Sequence, residues 1–227
     1  YKRQEPEVID CNAYCDQFAG RPKIDERKDD FKSIVTAYIN GESFYDGPIN
    51  CWDTSEVTDM SYGVAATVCR RKGAGFGCGG FRSDEERAAL RLFNSPVGSL
   101  DTSSLLSAKD MFKGAVVFDQ PLNSWNIASV TRASGMFCGA AKFNQPLNRF
   151  DTSRVKTMTD MFEDAIAFNQ PLTSWDVALV TSMSGMFTNA TSFNQCLSTW
   201  ATRVNPDATV AGMFAGSGCP EQGDPSI

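Results

Sequence analysis

From Phe168 to Phe193 the apolar positions follow two rhythms. Leu172, Trp175 and Val177 lead to Val180, and a Trp and a Val two residues apart suit a short strand with one inward face. Met183, Met186, Phe187, Ala190 and Phe193 then fall on one side of a helix or tight helical turn, with Thr181 or Ser182 placed to cap its start. The pattern predicts a unit of strand, turn, helix and return loop.

That unit recurs. Met-Phe stands at 111–112, 136–137, 161–162, 186–187 and 213–214, at intervals of 25, 25, 25 and 27 residues. In phase with it run FDQPL from 118, FNQPL from 143 and 168, and FNQCL from 193, each followed by an aromatic: Trp125, Phe150, Trp175, Trp200. A fixed period in this range marks a solenoid, in which each unit buries its apolar face against a neighbour. YDGPINCWDTSEVTDM (45–60) aligns with FNQPLTSWDVALVTSM (168–183), so the period extends backwards, with an insertion at about 63–92. The insertion holds Cys69, the glycine run GAGFGCGG and Cys78, then SDEERAALRLF, where Ser83 and Glu86 form a capping box for a short helix.

The expected fold is therefore an α/β solenoid. It is a leucine-rich-repeat-like, right-handed stack of about six 25-residue strand–turn–helix units over 45–214. An N-terminal cap with a helix occupies 1–44 and a tail occupies 215–227. The Met-Phe pairs are core. Asp46, Asn94, Asp119, Asn144, Asn169 and Asn194 are expected to form a side-chain ladder that satisfies backbone groups of the return loop.

The unit, read as FNQPLxxWDTSxVTxMxxMFxxAxx, resembles the repeat of the BspA-type leucine-rich-repeat surface proteins, known from mycoplasma surface lipoproteins and from algae and other protists. The resemblance covers about residues 28–214 apart from the insertion, and FKSIVTAYING looks like that family's helix before its first repeat. It implies a surface or secreted location and a binding or structural role, and it supplies no catalytic residues. The cysteine-bearing insertion, and Cys196 where the repeat has proline, depart from the pattern.

Composition narrows the chemistry. The chain has no histidine, which removes Ser-His and Cys-His nucleophile pairs, imidazole ligands and a histidine acid–base. A net charge of −6 argues against nucleic acid, because phosphate backbones demand a basic surface. No run is long and apolar enough to span a bilayer. The sequence opens at Tyr1 rather than a methionine, so a targeting peptide is expected to have been removed or left out. The glycine run lacks the context of a phosphate loop and is read as a flexible loop.

Eight cysteines without a CxxC pair favour disulfides in an oxidising compartment over a zinc ribbon. The candidate pairings are Cys69–Cys78 across the insertion, Cys196–Cys219 at the last repeat, and two of Cys11, Cys15 and Cys51 at the cap. Cys138, placed on the outward side of its unit, is either a free thiol or an intermolecular link. Asn189 begins the sequon Asn189-Ala190-Thr191.

The residue after each Trp or its equivalent forms a second column: Asp53, Asp101, Asn126, Asp151, Asp176 and Ala201. Two readings are open. The column binds Ca²⁺ or a basic partner on an exposed strand face, or each Asp bonds its own turn as DTS suggests. No other cofactor is expected. The functional expectation is a non-enzymatic, secreted or surface scaffold that holds protein or glycan on the solenoid face. The alternative is an accessory subunit of a filament, a wall or a larger membrane complex, with an algal thylakoid lumen as the alternative location.

Overall fold

The computed structural model describes residues 23–24, 30–42, 48–65 and 84–219. Helix α1, Phe31–Ile39, starts where the Asp30 carboxylate accepts the Ser33 N–H at 2.8 Å. It stops at Gly41, whose φ of +72° lets Gly41 and Glu42 turn their N–H groups back onto the carbonyls of Tyr38 and Ala37. Its buried side is Phe31, Ile34 and Val35. A short 3₁₀ turn covers Ile49–Cys51 and helix α2 covers Asp84–Arg91, against α1. Both helices lie where the sequence places them, although Ser83 and the Glu86 side chain fall outside what is described.

From Trp52 onward the chain winds in stacked coils. One parallel bridge per coil joins Asp59, Ser107, Arg132, Thr157, Ser182 and Thr209 in succession. The direct bridge from Asp59 to Ser107 shows that the insertion leaves the stack unbroken.

The expected α/β solenoid of strand–turn–helix units is not what the chain forms. The described repeats contain isolated bridges in place of strands, and no helix follows them. The stretch predicted as helix runs instead through tight turns. Met186, Thr188 and Ala190 donate to the carbonyls three residues back, at Met183, Gly185 and Phe187. Their alternate neighbours Met183, Gly185, Phe187 and Asn189 donate to Thr209, Ala211, Met213 and Ala215 of the next coil, at 2.7–3.0 Å. The same alternation recurs at Met158, Asp160, Phe162 and Asp164, bonded to Ser182, Ser184, Met186 and Thr188.

An α-helix cannot form there, because two positions per coil are left-handed. Asp110, Gly135, Asp160, Gly185 and Gly212 precede the Met-Phe pairs with φ of 52–66°. Gly114, Gly139, Asp164, Asn189 and Gly216 follow them with φ of 56–73°. Left-handed residues occur singly, not in helices, and Gly, Asn and Asp tolerate them best. Trp175 and Val177 also lie in turns, with Trp175 donating to Leu172 and Val180 to Val177.

The inward assignments hold even though the element types do not. Leu172, Trp175, Val177, Val180, Met183, Met186, Phe187, Ala190 and Phe193 are all 0–1% exposed. Phe112, Phe137, Phe162, Phe187 and Phe214 stack with ring centroids 5.5–5.7 Å apart. Phe93, Phe118, Phe143, Phe168 and Phe193 form a second column at 5.8–6.2 Å. Trp125, Trp175 and Trp200 point their indole N–H groups at the carbonyls of Val97, Leu147 and Leu172 in the preceding coils, so burial leaves these donors satisfied. In the first coil Gly63 replaces the methionine. A Cβ there would meet the Phe31 ring at 2.9 Å, so α1 supplies the missing apolar group and closes that end.

Candidate functional site

The column after the tryptophans binds its own turns. Asp53, Asp101, Asn126, Asp151 and Asp176 each accept the N–H two residues on, from Ser55, Ser103, Ala128, Ser153 and Ala178, at 2.9–3.1 Å. Asn205 does the same for Asp207 in the last coil. The Ser153 hydroxyl and N–H, with Arg154 nearby, hold the Asp151 carboxyl below its ordinary pKa. Among the described residues no three acidic or thiol groups converge where an ion would sit. The threonine of DTS, unremarked in the sequence, carries a structural role. Buried Thr54 and Thr152 donate to the carbonyls of Asp101 and Asp176, and Thr102 accepts the N–H of Asn126.

The return-loop ladder is present. Asn94, Asp119, Asn144 and Asn169 accept the N–H groups of Asp119, Asn144, Asn169 and Asn194 at 2.9–3.0 Å. The amides of Gln120, Gln145, Gln170 and Gln195 donate to the same oxygens. Asp46 lies outside the described residues.

The cysteines depart from expectation. Cys51 is disulfide-bonded, whereas Cys138, Cys196 and Cys219 are in no disulfide; Cys11, Cys15, Cys69 and Cys78 lie outside the described residues. The expected Cys196–Cys219 bridge does not form. Gly218 donates to Ala190, and a Cβ on it would meet the carbonyls of Thr191 and Phe193, so the chain leading into Cys219 lies against residues 190–193 and short of Cys196. The Cys196 thiol instead meets the Ser198 hydroxyl at 3.2 Å.

Cys138 is not outward. It is 7% exposed, and its thiol donates to Glu163 at 3.5 Å, so an intermolecular bridge from it is closed off. Burial pushes the thiol well above its usual pKa. Burial, and then the nearby Asp160, also raise the pKa of the Glu163 carboxyl. Below them Lys113 pairs with Asp110 at 3.2 Å, largely away from solvent. The four residues occupy two neighbouring columns of the turn region, and Asp and Gly alternate along one of them for steric reasons. A Cβ on Gly135 or Gly185 would collide with the carboxylate of Asp110 or Asp160 in the preceding coil. Asn189 is exposed, and its Nδ2, the atom that N-glycosylation would substitute, donates to Asp164 at 2.9 Å.

The bridge row makes a second face that sequence reasoning missed. Its signal was the polar run after the inward Val130, Val155 and Val180. There Arg132, Lys156, Thr181 and Thr209 are exposed, one from each of four successive coils, Arg132 and Thr209 at bridge positions and Lys156 and Thr181 one residue before theirs, on coils whose bridged backbones lie roughly 4.8 Å apart. Hydroxyls link along it, Thr159 to Ser182 at 2.7 Å and Thr209 to Ser182 at 2.9 Å. Arg132 reaches Asp59 at 3.5 Å, and Lys109 lies 5.4 Å above the Tyr62 ring. A hollow of about 460 Å³ opens beside it, lined by Asp30, Phe31, Lys32, Asp59, Ser61 and Tyr62. Among the described residues no helix is long and apolar enough to cross a membrane.

No curated protein and no solved structure matches the chain. The family described as "Mycoplasma protein of unknown function, DUF285" matches over residues 30–137, 86–153 and 126–222, overlapping segments that together take in most of the repeats. The chain belongs to that family.

Proposed function

We propose that the chain is a non-enzymatic binding scaffold of the BspA-like surface type, and that the bridge face carries its protein or glycan partner. The observation behind this reading is how the polar groups are used. The Asp and Asn columns are taken up by their own turns and ladders, whereas the face at and beside the bridges presents Arg132, Lys156, Thr181 and Thr209 to solvent on a regularly paired backbone. Such a face suits a partner with repeating polar groups, because the stacked backbone already holds one exposed polar side chain per coil at a fixed spacing and only the side chains are ordered on binding. A secreted or cell-surface location accords with the family and with the disulfide at Cys51.

Cross-linking on native cells with mass-spectrometric readout tests it. Lys156→Glu combined with Thr181→Glu removes the partner cross-links, and Thr173→Arg, exposed elsewhere on the coil, leaves them in place. Unchanged cross-links in the bridge-face variant, with the fold intact by melting, refute the reading.

A further inference from the structure

Four successive coils lay the same six positions side by side: SLLSAK (104–109), SVTRAS (129–134), RVKTMT (154–159) and LVTSMS (179–184). The fourth residue of each is the bridge residue, and the second and fifth are core. None of the four stretches holds a carboxylate or an aromatic, although the whole chain carries a net charge of −6. Their ionisable side chains are all cations. Arg132, Arg154 and Lys156 are exposed, and Lys109 lies over Tyr62. Asp151, near Arg154, has its carboxylate on the N–H of Ser153. Arg132 meets Asp59 at 3.5 Å, but both side chains are at least half exposed, and such a pair is weak in water.

We infer that this face holds an acidic polysaccharide, whose carboxylates meet the guanidinium and amine groups of Arg132, Arg154 and Lys156. The inference rests on the bridge face being the binding face and narrows what binds there. Charge selects the anion. Three exposed cations with no carboxylate in their stretches make a positive field on an otherwise acidic chain, and guanidinium groups take carboxylates in two-pronged bonds. The neighbouring groups select a sugar over an acidic peptide. Beside the cations stand the hydroxyls of Thr131, Thr157, Thr159, Thr181 and Ser182, which match the donors and acceptors of a sugar ring. A peptide finds neither of its usual holds. The coils are bonded to one another here, Lys156 donating to Thr131, Met158 to Ser182 and Thr181 to Lys156, so an added strand meets paired coils and no free edge. Nor do these stretches offer a Trp or Tyr to anchor it. Arg132 and Lys156 sit on adjacent coils with backbones roughly 4.8 Å apart, so a chain that repeats its charge along its length runs across the coils, parallel to the stack axis.

Isothermal titration of the full chain tests it, with polygalacturonate as the probe. Neutral dextran removes the charge, and poly-glutamate keeps the carboxylate but replaces the sugar by a peptide. Polygalacturonate binds, dextran does not, and poly-glutamate binds about tenfold more weakly; raising salt from about 50 to about 200 mM weakens the polygalacturonate complex. Arg132→Ala combined with Lys156→Ala lowers its affinity about tenfold or more. Lys142→Ala combined with Arg149→Ala removes the same charge from exposed positions outside the four stretches and leaves the affinity at the parent value, with both variants melting like the parent. The inference is overturned if polygalacturonate does not bind, if poly-glutamate binds as tightly, or if the two charge-matched variants lose affinity equally. Cell cross-links that vanish in the Lys156→Glu, Thr181→Glu variant while polygalacturonate stays unbound overturn this inference and leave the bridge face standing as the binding face.

Discussion

Gly185→Ala separates two costs that the repeat combines. Gly185 holds φ at +66°, a left-handed conformation that costs an L-residue about 1–2 kcal/mol. Its new methyl group would also overlap Asp160 Oδ1 of the preceding coil, and overpacking of this kind adds about 1–3 kcal/mol. The expected loss is therefore about 2–5 kcal/mol. Asp160→Gly in the same chain removes the obstructing carboxylate while keeping a residue that accepts its φ of 55°. Chemical denaturation of the parent, the two single variants and the double variant then yields a coupling of about 1–3 kcal/mol in favour of the double. Gly212→Ala, with the same φ and open space around it, should show only the conformational part. A coupling near zero would refute the steric account of the Asp–Gly alternation, and the left-handed backbone would then be the whole reason for glycine.

Other expectations rest on single measurements. Trp175→Ala should cost about 3–5 kcal/mol by urea titration, since it empties a fully buried site between Phe150 and Trp200; a parent-like midpoint would contradict the packing. Glu163 has a raised folded-state pKa, so its contribution is fully present below the unfolded pKa and is lost as pH rises through the folded one. Glu163→Gln should accordingly melt higher than the parent at pH 7, and this gain should vanish below the ordinary glutamate range; a gain that grows on acidification would reverse the argument. Asp151 runs the other way: its lowered pKa stabilises the fold above the unfolded value, and the deficit of Asp151→Ala should shrink as pH falls. Under native conditions iodoacetamide should label exposed Cys196 rapidly and Cys138 only after unfolding, and a tryptic Cys196–Cys219 disulfide peptide would contradict the register described.

The residues that face inward were legible along the chain, as were the repeat, the cap helix and the return-loop ladder. Each depends on a period of the chain itself: the same side chain returns to the same place, and Phe143 must stack on Phe118 and Phe168 whatever backbone carries them. Element type was not legible. Met183, Met186, Phe187 and Ala190 have helical spacing because a run of tight turns puts inward residues at nearly the same intervals as a helix does. What separates the two is where alternate N–H groups go, and their acceptors lie about 25 residues away in the next coil. The left-handed positions did leave a trace, as Asp, Gly or Asn before and after every Met-Phe, but that pattern gains meaning only beside its neighbours in the stack. The sequence alone therefore determined which groups are buried and how often they recur. Backbone pairing, the fate of the acidic column and the burial of Cys138 were decided by tertiary structure, because each depends on what the adjacent coil brings within reach.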